Sequence, residues 1–523
     1  MITKVVEGMQ WPPMDLERYK MKEHSTWYSG EAELLANFYF DNDLQNYMML
    51  NYGTRNNNRF WARQIKNQSN FFIHVPIAND IAETSSSFLF GESPIIRFGS
   101  DSEGMKDNQN ALDTMLTNSG FFKKLVEAAE IASAIGGVYM KVAWDSEISE
   151  EPIPMIAQCE QAFPTFRFGK LVKVTLVYEV QNDGSTVYRL AETIEKGKIT
   201  NELYKGSSDN LGTLVKLSEC EETKVMEETV DTADVMTCVY IPNLLPNKLN
   251  RQSPMGRSDL HGIETLMDAL DEVFSAWMVD VQIARGKIHV PSGYVKEIGE
   301  NGKTKFNIDT MAYEELDVDP TAMSKPIEAT QFDIRSQQFE QTCLNLLDRI
   351  ITSAGYSPQS FGLNIAGRAE SGTALNVRER KSFSTTNKKQ SYWEDGLKQL
   401  IKAMCMIKQT FLGGKFTCEL DVNIEFMDSI SNNLSEVSNS VKTLSDAKAI
   451  STDTKVRMVH PEWTDEQIEQ EIERINNDGQ VGMPMESPED LTQMAFGEKG
   501  KNNPLEKENP SDIKSEGFEN KEE

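Results

Sequence analysis

The sequence predicts an α+β protein whose helical and strand-forming stretches lie apart along the chain. Three observations predict it. Segments 258–285 and 331–354 carry apolar residues at helical spacing. Leu171 to Val180 is a β-branched run followed by the turn residues Asn182-Asp183-Gly184 and a second run, Thr186 to Leu190, a hairpin pattern. The stretch between the two long helices, 286–330, reads as short strands joined by turns. Runs of strands set apart from runs of helices indicate α+β rather than an alternating parallel-sheet fold.

In chain order, Glu31 to Leu50 has helical spacing, and Pro76 to Phe90 is a helix opened by proline and closed at Gly91. Phe121 to Ile135 places Phe122, Leu125, Ala128, Ala129 and Ala132 on one side and ends at Gly136-Gly137. Val138 to Trp144 then alternates like a strand. Residues 151–240 form a small antiparallel meander, with Lys196-Gly197-Lys198 as a further turn. Pro242, Pro246, Pro254 and Gly256 mark a connector. Ser258-Asp259 is placed to cap the next helix, which runs to Arg285, about 40 Å at 1.5 Å per residue. Leu260, Ile263, Leu266, Met267, Leu270, Val273, Phe274, Trp277, Val281 and Ala284 form its apolar stripe. Glu264, Asp268, Asp271, Glu272 and Asp280 lie largely off that stripe.

Within 286–330, Asn301-Gly302 is the expected turn between Tyr294–Ile298 and Lys303–Ile308. A second long helix spans Phe332 to Ala354. A loop from Tyr356 to Gly372 contains Pro358, Gly362 and Gly367, and a long helix follows from Thr373 to Leu412. Phe416 to Met427 is strand-like, and Leu434–Ala449 and Asp465–Ile475 are helical. From Asn476 the chain is polar enough to be expected disordered, an acidic tail over 476–523.

The chemistry of common enzymes is missing. Gly413-Gly414-Lys415 lacks the spacing of a phosphate-binding loop, and Gly497 to Lys501 lies in the expected tail. No nucleophile elbow occurs. His24, His74, His261, His289 and His460 are far apart in sequence, with no metal-ligand spacing; His261 is expected to pack near a helix start. Asp317-Val318-Asp319 reads as a turn before Pro320 rather than a calcium loop. Cys159, Cys220, Cys238, Cys343, Cys405 and Cys418 form no close pair and are expected as buried thiols in a reducing compartment. The first residues lack the apolar core of a signal peptide, and no apolar run approaches the roughly 20 residues of a membrane span. No cofactor or metal is expected. The net charge of −28 is the wrong sign for a broad grip on nucleic acid.

Several local patterns resemble the portal proteins of tailed bacteriophages, siphophages of Gram-positive hosts above all. His74 to Ile81 with Phe88-Leu89-Phe90-Gly91-Glu92-Ser93-Pro94 resembles an early helical segment of that family, and Ala132 to Met140 resembles its next helix-to-strand step. Gly256-Arg257-Ser258-Asp259-Leu260 with Leu266 to Asp271 is similar to the start of its stem helix. Ser371 to Leu375 with Trp393 to Leu400 is similar to its kinked helix after the channel loop. The order of the four segments, spread over about 30–470, carries the resemblance.

The resemblance implies a portal fold: wing 1–257, stem helix 258–285, β-containing clip 286–330, second stem helix 331–354, channel (tunnel) loop 355–372, kinked wing helix 373–399, helical crown 400–475 and the tail. It implies a non-enzymatic ring, a homododecamer at one capsid vertex, assembled in the host cytoplasm and kept in the virion. Double-stranded DNA would pass through it during packaging and ejection with weak, non-specific contacts. Its partners would be the terminase large subunit, a head–tail connector or adaptor, and the major capsid and scaffolding proteins. An acidic wall that repels phosphate suits such a channel. Gln359, Asn364 and Arg368 are the candidate DNA contacts in the loop, and Glu297, Glu300, Lys303 and Lys305 the candidate docking surface of the clip. The competing readings are another virion ring component, such as a head–tail adaptor or minor capsid protein, and a cytoplasmic enzyme.

Overall fold

Asp15 accepts from the backbone N–H groups of Glu17 and Arg18 and so caps the first helix, α1 (Leu16–Tyr28). Periodicity does not reveal α1, because it is enclosed with its charges: Arg18, Glu23 and His24 are buried beside Tyr19 and Trp27. The computed structural model describes residues 4–53, 59–63, 72–99, 105–284, 287–291, 313–316, 328–330, 333–363, 372–414, 416, 420–427, 434–460, 463 and 465–481. Contacts divide the chain into one unit up to Ser431 and another from Asn432.

The helix expected over Glu31 to Leu50 is two, α2 (Ala32–Phe40) and α3 (Asn42–Tyr52). Asp41 separates them: its backbone is extended, and its carboxylate caps α3 by accepting from Leu44 N–H. Helix α4 (Ile77–Phe90) and strand β1 (Ile95–Phe98) precede α5 (Met105–Asn118), a helix with no counterpart in the sequence expectation. Helix α6 (Phe121–Ile135) has the expected bounds. It ends at Gly136, whose φ of +114° is left-handed. A Cβ there would stand 2.8 Å from the Ser258 nitrogen, so glycine lets the connector lie against the end of α6.

Strand β2 (Gly137–Ala143) is the centre of an antiparallel sheet between β3 (Ile153–Ala157) and β10 (Cys238–Pro242). Between them in sequence lies the meander: β4 (Ala162–Arg167), β5 (Lys170–Asn182), β6 (Val187–Glu195), β7 (Lys198–Gly206) and β8 (Thr213–Val215), with β9 (Thr229–Asp231) also on β7. Two of its turns are those the sequence predicts. Gly184 has φ +81° and Gly197 φ +87°, and Glu195 pairs with Lys198 across a two-residue turn.

Helix α7 (Glu264–Ile283) begins six residues after Ser258 and has 20 residues, about 30 Å rather than 40. Its Ncap is Ile263, with no capping side chain. The expected cap at Ser258-Asp259 does not form: Ser258 Oγ accepts from Leu260 N–H at 2.9 Å, but a turn over 259–263 precedes the helix, and the Asp259 carboxylate is bound elsewhere, as described below. Glu264, Asp268 and Asp271 lie off the apolar stripe and are nonetheless enclosed. All three are buried, and with Ser275 they form a stripe at spacings of four, three and four residues. Asp268 accepts from Phe60 N–H at 2.7 Å. Asp271 accepts from Val75 N–H at 2.8 Å, from Trp61 Nε1 at 2.9 Å and faces His74 Nδ1 at 2.8 Å, while Ser275 Oγ accepts from Ile73 N–H at 3.0 Å. This rail of acceptors holds Phe60-Trp61 and Ile73-His74-Val75 against α7.

Strands β11 (Lys287–Pro291), β12 (Tyr313–Leu316) and β13 (Glu328–Thr330) form a small sheet with β11 central, parallel to β12 and antiparallel to β13. The Asn301-Gly302 hairpin lies outside the described residues. Helix α8 (Ser336–Ala354) starts four residues later than expected, and α9 (Gly372–Phe411) matches the expected Thr373–Leu412 closely. Strand β14 (Val422–Glu425) pairs with β1, Ile95 opposite Glu425. Residues 400–427, assigned to the crown in the sequence reading, lie in the first unit. Leu400, Ile401, Met404 and Ile407 of α9 pack in the same core as α6 and β2 of the first unit. The second unit contains α10 (Leu434–Asp446), α11 (Thr452–Val459) and α12 (Asp465–Val481). Helix α12 continues past Asn476, where the tail was expected to begin, and residues 482–523 lie outside the described residues.

Removing the Asp271 carboxylate would leave three donors facing an apolar space. Asp271→Ala is expected to cost about 3 kcal/mol or more in urea unfolding, and Asp271→Asn less, because each orphaned buried donor costs about 1–3 kcal/mol. Equal stability of the Ala variant and the parent would show that the rail contributes nothing.

Candidate functional site

The candidate channel segment is the chain that links α8 to α9. Gly355, at φ +109°, ends α8, and Tyr356 turns back beneath it. The next residues are clamped to α9 by hydroxyl groups. Ser357 N–H donates to Ser382 Oγ at 2.9 Å, the Ser360 and Ser382 hydroxyls meet at 3.0 Å, and Thr385 Oγ1 donates to the Gly355 carbonyl at 2.7 Å. Lys381 donates to the Thr352 carbonyl. Gln359 lies half-buried in the short 3₁₀ turn Pro358–Phe361 that follows. Asn364 and Arg368 fall outside the described residues, as do Glu297, Glu300, Lys303 and Lys305. The structure therefore places one of the seven candidate residues.

Beneath Tyr356 is a buried polar centre with no counterpart in the sequence expectation. Asp259 accepts from Ser133 Oγ at 2.6 Å, Asn243 Nδ2 at 2.9 Å and the Tyr356 hydroxyl at 2.8 Å, and it is paired with the Lys389 ammonium. Lys389, 1% exposed, also donates to Ser85 Oγ at 2.7 Å and to the Tyr356 oxygen at 2.9 Å. Ser258 Oγ donates to the Ala134 carbonyl at 2.6 Å. The centre thus joins α4, α6, the connector before α7, the channel segment and α9. Burial holds the lysine below its ordinary range against the pull of Asp259, and burial with Asp259 drives the Tyr356 phenol up. Tyr356 is thus a donor to the carboxylate at any physiological pH. The residues involved were visible only as a serine, an aspartate and a lysine in helical surroundings, each with a commoner surface role.

A second cluster lies where α1 meets the start of α7. The Glu264 carboxylate is 3.1 Å from both Lys20 Nζ and His24 Nε2 and accepts from Gly262 N–H at 2.8 Å. His261 lies in the turn before α7, as expected, but its ring meets that of His24 edge-on at 6.2 Å, although 237 residues separate them. His24, His261 and Glu264 offer ligand atoms within 4.8 Å of one another. The charge argues against a cation there. Lys20 bridges Glu264 and Glu23, and Arg59 stands 3.7 Å from Glu23, so two acids already face two bases. Burial raises the Glu264 carboxyl, but His24 and Lys20 outweigh it and leave it below its ordinary range. Burial lowers His261 to about 4.

The two long helices α7 and α8 pack side by side. Trp277 stacks on Phe339 with ring centroids 5.9 Å apart, and Arg335 pairs with Asp280 at 3.0 Å. Only Cys343, Ile350, Ile351 and Ala354 of α8 are buried; Leu344 of α8, Ile334 just before it, and Val281 and Ile283 of α7 are exposed. No helix among the described residues is long and apolar enough to cross a membrane.

The family model described as "Phage portal protein, SPP1 Gp6-like" matches residues 13–482. The chain belongs to that family. A portal protein is a structural component of the virion, the subunit of a ring at the capsid vertex. No curated protein matches it in sequence. Among solved structures it is similar to a chain from the neck of an empty gene transfer agent particle computed with C6 symmetry. That match has 11% identity and a TM-score of 0.43, covering 74% of this chain and 90% of the other. It is also similar to a chain from the virion of a native gene transfer agent particle, at 10% identity and a TM-score of 0.41, covering 87% and 96%.

Two measurements check the electrostatics. Lys389→Met strands Asp259 as an unpaired buried charge and is expected to cost about 3–5 kcal/mol, whereas Lys389→Met with Asp259→Asn should cost clearly less than the sum of the singles. Additive losses in a denaturant-unfolding cycle would show that the two residues do not act as a pair. His261 has a folded-state value below its unfolded one, so the unfolded chain binds more protons between about pH 6.5 and 4. Its contribution is present above that window and lost as pH falls through it. His261→Gln should therefore lose less stability than the parent between pH 7 and pH 4.5; parallel curves would remove His261 from the acid response.

Proposed function

We propose that twelve copies of this chain close a ring whose bore passes duplex DNA during packaging and ejection. In this reading α7 and α8 are the stem, residues 286–330 the clip, and the segment between α8 and α9 the loop nearest the DNA. The observation that carries it is the bareness of α8: a helix of 19 residues that buries four side chains in its own subunit and leaves Leu344 in solvent, with Ile334 exposed just before it, needs neighbours to cover it. The charge fits as well. At −28 per chain, the bore repels phosphate, so DNA slides without deep energy wells. Gln359, Asn364 and Arg368 supply the few weak contacts. Glu297, Glu300, Lys303 and Lys305 face the motor, a terminase large subunit that carries the ATPase this chain lacks, and later the head–tail connector. Major capsid and scaffolding proteins surround the ring. The chain itself catalyses nothing.

Native mass spectrometry at micromolar concentration should show a closed assembly near twelve subunits; a lone 59.1 kDa species would overturn the reading. In the same preparation, Arg368→Glu and reversal of the four clip charges should leave rings intact. The first should alter DNA retention and the second should impair packaging. Normal packaging and retention in both variants would remove those residues from the roles assigned to them.

A further inference from the structure

The turn between β4 and β5 is unlike the others in the meander. Arg167 pairs with Lys170 across two residues, Phe168 and Gly169, with φ of +50° and +79°. Both values are positive, a turn that favours Asn-Gly or Gly-Gly. A phenylalanine in the left-handed region is strained, because its Cβ crowds the backbone. It recovers nothing within the subunit, since Phe168 is 106% exposed at the apex of the hairpin. Its exposed flanking side chains, Arg167 and Lys170, are both cationic in a chain of net charge −28.

A surface of complementary character lies on α2 and α3. Asp43, Tyr47 and Leu50 follow one another at spacings of four and three residues on one face of α3, and all are exposed, Leu50 at 82%. Leu34 and Phe40 of α2 are exposed too. From Glu31 to Gly53 the chain has four acidic residues, Glu31, Glu33, Asp41 and Asp43, and no lysine or arginine. An apolar patch with an acidic rim matches an aromatic tip with a basic rim. The two patches are on different elements of one chain, so their pairing between copies is head-to-tail, the type of contact that closes rings.

We infer that the Phe168 hairpin tip docks on the α2–α3 face of the adjacent copy of this chain. Phe168 is the aromatic anchor, and Arg167 and Lys170 lie against the acidic rim. The inference rests on the ring reading above and deepens it.

The test introduces Lys170→Cys and Asn46→Cys, both exposed, into the full chain and leaves Phe168 in place. A short bismaleimide cross-linker is added, and the same sample is weighed by native mass spectrometry. A ladder of covalent multimers on a denaturing gel, absent from each single variant, is the expected result. Rings without a ladder would overturn the tip contact and leave the ring reading standing, with the tip then free for another virion component. Absence of rings from the parent chain would overturn both. A second variant, Phe168→Asn, relieves the left-handed strain while removing the anchor. It should melt no lower than the parent as a subunit, yet need a roughly thirtyfold higher concentration for half-assembly, the effect of losing one aromatic hot spot. An unchanged assembly midpoint would overturn the inference.

Discussion

The pairing of Asp259 with Lys389 in a site closed to water is the interaction on which the arrangement of the first unit depends. An isolated buried carboxylate or ammonium is prohibitively costly, so each requires the other and a full set of hydrogen bonds. Ser85, Ser133, Asn243 and Tyr356 supply those bonds from four further stretches of chain. Once the pair is buried, α4, α6, the connector, the channel segment and α9 must converge on one point. The left-handed glycine at 136 allows this, because the connector backbone passes where a side chain would otherwise stand. Apolar packing alone would tolerate many relative positions of these helices; a saturated polar centre tolerates one.

Helix α7 extends that constraint outward. One of its faces is a rail of acceptors that fixes the segment around Trp61 and His74; another packs against α8 through Trp277. In the proposed ring, the lightly buried surface of α8 is what neighbouring copies would cover.

Much of the fold was legible from local signals. The turns at Gly184 and Gly197, the bounds of α6 and the span of α9 follow from glycines whose φ only glycine adopts easily and from apolar spacing that local packing enforces. What was illegible is where distant polar groups meet. Ser258-Asp259 looks like a helix cap because a cap needs only neighbouring N–H groups, yet the Asp259 carboxylate is taken by partners at 133, 243, 356 and 389. Glu264, Asp268 and Asp271 look solvated because carboxylates on a helix usually are. The spacing that continues through Ser275 was the available hint of a single acceptor face. Helix α1 hides for the same reason, with its charges satisfied inside. Of the candidate site, Gln359 is placed and the family follows from the whole chain, but the polar centre beneath the channel segment could be found only in three dimensions.

The depth of that centre has a consequence for where the protein works. A head filled with DNA is crowded with counterions, and mobile ions weaken attraction between charges they can reach. Lys389 and Asp259 are beyond their reach, so the joint between α9 and the connector keeps its strength whether the head is empty or full. Ion pairs at the surface, such as Arg335 with Asp280, lose theirs as the ionic strength rises. The subunit is thus indifferent to the salt of its surroundings at its centre and responsive at its rim.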